Sequence, residues 1–296
     1  MTDTRSEHNA LAGQGDASVN SLSHDEAGTV AALLEAERPK ARFHETTVGI
    51  LMLGIVPFLA AAGLWEIFSI FRPAALKFAV PELLPTLRAL WADLSSDVLI
   101  SNTWITMQET FIGIGIAAVA GVLLGVAIGL VRVLDVMLYP LNVALQAIPK
   151  LALAPLFIII FGFGMGSKIA VGAMMAFFPI LVGVIQGMRT VRLDEIDLLL
   201  SLRASRWQTF WKLRVPRAMP AAFGGFEIAA IFTLTATVVT EFLGGTGGLG
   251  YLILVRTSWL QVPETFSVLI ALGVIGVSMS LLLHFLQSRL SNWTEL

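Results

Sequence analysis

The 296 residues include no cysteine. Disulfide frameworks, thiolate metal sites and cysteine nucleophiles are thereby excluded. Histidine is scarce as well: His8, His24, His44 and His284 are scattered, with no spacing that suggests a metal cluster. Charge is the third shortage. Only 14% of the chain is Asp, Glu, Lys or Arg, while 56% is apolar and mean hydropathy is +0.81. A soluble domain is about 45–50% apolar and about 25% charged. So few charges cannot cover so much apolar surface in water, which leaves a protein that crosses a bilayer several times. A net charge of −2 gives no electrostatic footprint for nucleic acid. A phosphate-binding G-x-x-x-x-G-K-[ST] is missing too. The nearest string, Gly162 to Lys168 (GFGMGSK), has Ser between its last Gly and Lys. Any nucleotide hydrolysis belongs to another polypeptide.

What is present divides into a polar tail and an apolar body. Residues 1–45 hold eight acids and four bases and no long apolar run. Such a segment cannot bury enough surface to offset its ordering entropy, so a disordered tail is expected. Within it, Thr29–Glu37 has the pattern of a short helix. No basic stretch leads directly into an apolar stretch with a cleavage site, so no cleaved signal peptide is expected.

Six apolar segments follow, each near the roughly 20 residues that a bilayer requires. They are Thr47–Ile70, Gln108–Leu130, Asn142–Phe161, Lys168–Met188, Met219–Phe242 and Thr265–Gln287. Their apolar character runs all round the helix and does not alternate, which favours helices over a β-barrel. With the N-terminus inside, thirteen bases fall on cytoplasmic parts and five (Arg72, Lys77, Arg88, Lys168, Arg256) outside. This bias places both termini in the cytoplasm. The expected organisation is a tail over 1–45, a transmembrane body over 46–290 with a cytoplasmic loop at 189–217, and a cytoplasmic end at 291–296.

Several motifs have a plain structural reading. Gly245–Gly250 (GTGGLG) formally matches G-x-G-x-x-G but follows the fifth span, where no βαβ unit fits, so a tight turn is expected. Gly121, Gly125 and Gly129, like Gly183 and Gly187, make small-residue faces. Helix packing within one subunit is the favoured reading and a subunit interface the alternative. Ionisable residues inside spans are functional candidates. Glu241 is preceded by Thr233, Thr235, Thr237 and Thr240. These hydroxyls either line a polar pathway, with Lys150 as a further pathway candidate, or bond back to carbonyls of their own helix. Glu109 and Lys150, near span ends, can snorkel to an interface. Glu227 sits about two turns inside the fifth span.

The 192–220 stretch, RLDEIDLLLSLRASRWQTFWKLRVPRAMP, carries the most information. Leu198, Leu199 and Leu202 share one helical face, with Asp194, Asp197 and Arg206 available for another. A short amphipathic helix across the cytoplasmic surface is predicted, with Pro216 and Pro220 at the end of the loop. A merely basic loop has no need of this apolar stripe or of Trp207, Phe210 and Trp211, so a docking surface for a partner is indicated.

This loop resembles the EAA signature of the permease subunits of type I ABC importers. The motif acid is Asp197, its Gly-Ala pair is Arg203-Ala204, Ser205-Arg206-Trp207 follows, and Val215-Pro216 stands at its Leu-Pro position. Residues 147–157 (AIPKLALAPLF), Thr240–Leu243, Gly248–Ile253 and Ala79-Val80-Pro81 are similar to the nitrate/sulfonate/taurine branch. The likeness extends over about residues 47–290. It departs at Leu198 and Leu199, where small residues are usual, at Arg203 in place of Gly, and at Glu227, where relatives carry a base. The resemblance implies an all-α integral membrane protein of six transmembrane helices in a MetI-like architecture, placed in a bacterial inner membrane. It also implies a homodimer that binds two copies of an ABC ATPase and receives solute from an extracytoplasmic substrate-binding protein. No cofactor is implied in this chain, ATP and Mg being held by the ATPase. Asp197, Ser201, Arg203, Ala204, Ser205, Arg206, Trp207 and Pro216 would couple to the ATPase, and Thr237, Thr240, Glu241 and Lys150 would serve the pathway. The solute would be a small oxyanion or a pyrimidine-like or aromatic compound. The alternatives are a secondary transporter driven by an ion gradient and, with less support, a membrane-embedded enzyme.

Overall fold

The computed structural model describes residues 47–73 and 79–291. The expected tail, with its Thr29–Glu37 helix, and residues 292–296 lie outside the described residues. Among the described residues every regular element is a helix. The chain divides into two units at Trp65–Glu66. The first contributes most of α1 (Thr47–Phe71). The second begins with the last turns of α1 and continues with α2 (Leu83–Ser95), α3 (Val98–Leu130) and α4 (Arg132–Ala147). A 3-10 turn (Lys150–Leu153) leads to α5 (Ala154–Phe161), α6 (Met165–Arg189) and α7 (Leu193–Ser201). Then α8 (Arg206–Thr209) passes through a π turn (Phe210–Arg214) into α9 (Val215–Gly244), followed by α10 (Leu249–Ser258) and α11 (Val262–Ser291).

Among the described residues, four continuous helices are long and apolar enough to cross a membrane: α3, α6, the joined α8–α9 and α11. The three later apolar segments of the sequence fall inside α6, α9 and α11, as expected. The third does not form one straight span. It begins at Arg132, not Asn142, and α4 meets the Lys150–Phe161 stretch at a bend of 73°. The cause is local. Ile148, with ψ 129, precedes Pro149, whose ring pushes the residue before it out of the helical region. Counted together, this pair makes a fifth span. The first expected segment, Thr47–Ile70, lies within α1, whose 25 residues are enough for a crossing. The second is part of a longer helix than the sequence suggested, since α3 starts at Val98, directly after Asp97 in a left-handed conformation.

α6 packs between α3 and α9. The glycine faces explain how closely. A Cβ on Gly129 would stand 2.6 Å from Met188 Cβ, and one on Gly187 would stand 2.5 Å from the Ala218 carbonyl oxygen. Only hydrogen at these positions lets the backbones approach, the device by which helices associate where water supplies no hydrophobic drive. Both faces therefore serve packing within the subunit. Ile180, Val184, Ala218 and Ala229 are buried along this seam, while side chains such as Leu123 and Leu281 stand out from the bundle, as a lipid-facing surface requires.

Candidate functional site

The loop over 189–217 is a helix, a turn and a second helix, not the single short amphipathic helix expected. At the start of α7 the Arg192 N–H donates to Glu195 Oε2 at 3.3 Å. Asp194 and Glu195 place negative charge in the first turn, where the helix dipole favours it. α7 ends in a Schellman motif: the Ala204 N–H donates to the Leu199 carbonyl (3.0 Å) and the Arg203 N–H to that of Leu200 (2.9 Å). Arg203 thereby adopts φ 60, the left-handed region in which glycine is the usual occupant. Ser205 opens the next helix with a capping box. Its hydroxyl accepts from the Gln208 N–H (3.2 Å), and its own N–H donates to Gln208 Oε1 (2.8 Å).

Pro216 and Pro220 do not end a loop. They lie inside a helix that is continuous from Arg206 to Gly244. Pro216 has no N–H for the carbonyl four residues back, and the π turn accommodates it: the Val215 N–H reaches the Phe210 carbonyl, five residues back. Arg217 pairs with Glu195 at 2.5 Å, Arg192 with Asp194 at 2.9 Å, and Arg189 with Asp135. These exposed pairs hold the loop's shape and add at most about 1 kcal/mol each.

The apolar stripe splits in two. Ile196 and Leu200 border a groove of about 690 Å³ with Val126 and Leu130 of α3 and with Phe210. Leu193, Leu198, Leu202 and Trp207 face outward, each more than 60% exposed. Trp207 lies over Phe210 (ring centroids 6.2 Å) and edge-on to Trp211 (5.5 Å). Asp197 is exposed, and its carbonyl accepts from the Ser201 hydroxyl (2.9 Å). All eight proposed coupling residues thus fall on one helix–turn–helix and its junction with α9.

The four proposed pathway residues do not come together. A cavity of about 660 Å³ between α4, α6 and α9 is bordered by Lys150, Gln146, Gln186, Phe178 and Phe232, among others. Lys150 donates to the Gln146 carbonyl at 3.3 Å and lies 4.6 Å from the centre of the Phe178 ring. Among the described residues it has no ion-pair partner. Thr237, Thr240 and Glu241 are buried in the bundle, away from this cavity. Thr233, Thr235 and Thr240 bond back to the Ala229, Ile231 and Ala236 carbonyls, whereas the Thr237 hydroxyl has no partner.

Glu241 holds the start of α10. One carboxylate oxygen accepts from the Thr106 hydroxyl (2.7 Å) and the other from the Gly250 N–H (2.7 Å). Thr106 also accepts from the Leu249 N–H (2.8 Å), and Asn102 Oδ1 accepts from that of Gly248 (2.9 Å). These amides are the ones a helix start leaves unpaired. The GTGGLG string is this turn. Gly248 has φ 98, and a Cβ on Gly250 would stand 2.1 Å from the Val238 carbonyl oxygen.

Two further clusters were not anticipated. Glu109 does not snorkel. Because α3 begins at Val98, Glu109 sits about three turns inside it, buried, with Lys168 donating to its Oε1 at 3.0 Å. Lys168 is accordingly buried and is no loop charge. Arg256, also counted as an outer loop base, is buried and clamps Asp93 of α2 through two bonds of 2.7 and 2.5 Å. Ser267 of α11 donates to the same Asp93 at 2.7 Å. Glu227 accepts from the Ser280 hydroxyl. Residues 93 and 256 are 163 apart in sequence, so no local pattern announces them.

Comparison with known proteins places these features. Residues 117–295 match the model of the family described as "Binding-protein-dependent transport system inner membrane component". The formylaminopyrimidine transport permease protein ThiX of Halalkalibacterium halodurans is 30% identical over 243 residues, covering 80% of this chain and 94% of that protein. The taurine transport system permease protein TauC of Escherichia coli is 29% identical over 177 residues, covering 60% of this chain and 64% of that protein. An inward-facing structure of the MetNI methionine ABC transporter contains a chain with the same fold. Its TM-score is 0.54 at 18% identity, and the match covers 65% of this chain and 96% of that one.

Proposed function

Since the chain belongs to the family of inner-membrane components of binding-protein-dependent transport systems, in the branch that includes taurine permeases, we propose that it is the membrane subunit of an ATP-driven importer of a small solute. The family consists of transport permeases, not enzymes, and the chain is a multi-pass protein of the inner membrane.

The observation that carries the reading is the exposed surface of α7, its turn and α8. A membrane protein does not leave Leu193, Leu198, Leu202 and Trp207 in water beside charged residues without a covering partner. That partner is an ABC ATPase, which supplies ATP and Mg. Two copies bind a homodimer of this chain, and both termini lie on the ATPase side. Solute arrives from an extracytoplasmic binding protein and passes beside the α4–α6–α9 cavity, where Lys150 meets it. Glu241 fixes the start of α10 on α9, and Thr237 and Thr240 are buried beside it on α9. The solute is an oxyanion such as nitrate, a sulfonate or taurine, or a pyrimidine-like compound. ATP biases a two-state rearrangement of the helices, and the coupling segment conveys it.

The test is a cross-link. Leu198 is exposed and caps nothing, unlike Ser205. A cysteine at Leu198 should form a disulfide with a cysteine in the cleft of the ATPase within the active complex. Absence of that cross-link in a complex that still hydrolyses ATP would refute the coupling role.

A further inference from the structure

Three ionisable groups are shut inside the bundle where α3, α6, α9 and α10 meet. Glu109, Glu241 and Lys168 are 1%, 0% and 3% exposed. Lys168 donates to Glu109 Oε1 at 3.0 Å. Glu241 uses both its oxygens on Thr106 and on the Gly250 N–H. The second oxygen of Glu109, Oε2, is buried and has no donor among the described residues, and Glu241 packs against the same face of α3, because the Thr106 it binds stands three residues before Glu109. Two carboxylates cannot bond to each other, because both only accept.

Charge leads to the same point. With all three groups ionised the cluster carries one net negative charge, and that charge is shut away from solvent. Such a charge is strongly unfavourable inside a membrane protein. The charged groups on the other packed elements are engaged elsewhere. Arg256 of α10 is bound to Asp93 of α2, and Glu227 of α9 accepts from Ser280 of α11. A single proton resolves both difficulties. It gives Glu109 Oε2 a bond and leaves the cluster neutral.

We propose that Glu109 and Glu241 form a proton-binding site, with one proton held between the two carboxyls and Lys168 balancing the remaining charge. The proton ties α3 to α9 and, through the Gly250 N–H on Glu241, to the start of α10. Its release sets two carboxylates against each other at that helix start and loosens α10. The site depends on no assumption about the solute or the ATPase.

Infrared difference spectroscopy tests the site in the purified transporter complex at neutral pH. A protonated carboxyl has a carbonyl-stretch band that carboxylates lack, and it shifts in D2O. The wild type minus Glu109→Gln spectrum should show one such band. Lys168→Met removes the balancing cation, so both carboxyls become protonated and the band should double. If Glu109→Gln fails to fold, wild-type protein carrying glutamate labelled at its side-chain carboxyl carbon gives the same reading through the isotope shift of the band. Absence of the band from the wild type means that both glutamates are ionised and overturns the proposal. A missing band together with stabilisation by Na⁺ at fixed pH overturns it in favour of a bound cation.

Discussion

Replacing Arg203 with glycine tests what the turn between α7 and α8 demands of its backbone. Arg203 is held at φ 60 by the two Schellman bonds. An ordinary residue in that region costs about 1–2 kcal/mol. Glycine removes this cost but restores about 0.4–1 kcal/mol of unfolded-state entropy. The Arg203 side chain is exposed and makes no ion pair among the described residues, so little else is lost. The expected gain is about 1 kcal/mol, roughly a fivefold shift in the local opening equilibrium. Amide hydrogen exchange at Ala204 reads it directly, because that N–H donates to Leu199 across the turn. Exchange should slow about fivefold in Arg203→Gly and remain unchanged in Arg203→Ala, which loses the same charge but keeps its Cβ. The pair also separates two explanations of any effect on ATPase coupling. A charge effect appears equally in both variants, and a conformational effect appears in the glycine variant alone. Unchanged exchange in the glycine variant, or equal slowing in both, refutes the reasoning.

Two other perturbations follow from the buried contacts. Asp93→Ala leaves the Arg256 guanidinium buried without its carboxylate and should cost about 3–5 kcal/mol. In thermal unfolding of the detergent-solubilised protein, adding Arg256→Met should recover much of that loss, and simple additivity of the two substitutions would count against a shared pair. Gly250→Ala puts a Cβ 2.1 Å from the Val238 carbonyl oxygen. It should destabilise by about 1–3 kcal/mol through forced displacement of α10. Gly115→Ala, with nothing within 4 Å of the new Cβ, should be neutral or stabilising by up to about 1 kcal/mol. Equal melting temperatures for the two glycine variants would contradict the close approach.

Apolar runs made α6, α9 and α11 legible, because a span in lipid needs little besides length and hydropathy. Two elements were misjudged where polar residues or proline intervene. The first three turns of α3 carry Ser101, Asn102 and Gln108, which look like loop residues. They are helical because Asn102 and Thr106 find partners at Gly248 and Leu249, more than 140 residues away. The bend at Pro149 was readable in principle from the pre-proline restriction alone. In the 189–217 loop, Ser205-x-x-Gln208 is a capping-box pattern and would have divided the single amphipathic helix expected there. The demand for a left-handed residue shows only indirectly, through the glycine usual at the Arg203 position. The Glu109–Lys168 and Asp93–Arg256 pairs were not legible. A single sequence displays each charge but says nothing about which distant charge it meets.

The joined α8–α9 helix connects the two regions that matter. Its 39 residues span about 58 Å at about 1.5 Å per residue, from Trp207 at one end to Glu241 at the other. The π turn, Pro216 and Pro220 all lie near the Trp207 end, so that is where the helix can bend, since backbone hydrogen bonds are missing or lengthened there. Beyond Pro220 it is regular and moves as a rod. Its contacts with α6 include close backbone approaches at Gly183, Gly187 and Gly225, where small sliding meets little side-chain bulk. Its contact with α10 is the opposite, held by the directional bond from the Gly250 N–H to Glu241. If the proposed coupling role holds, a push delivered at α7 and α8 would shear the α6–α9 seam while carrying α10 along. The cavity containing Lys150 lies on that seam, bordered by Gly183 and Gly225 themselves, so sliding there changes its shape and strains the Thr233 hydroxyl on the Gly172 carbonyl, the buried polar contact across it.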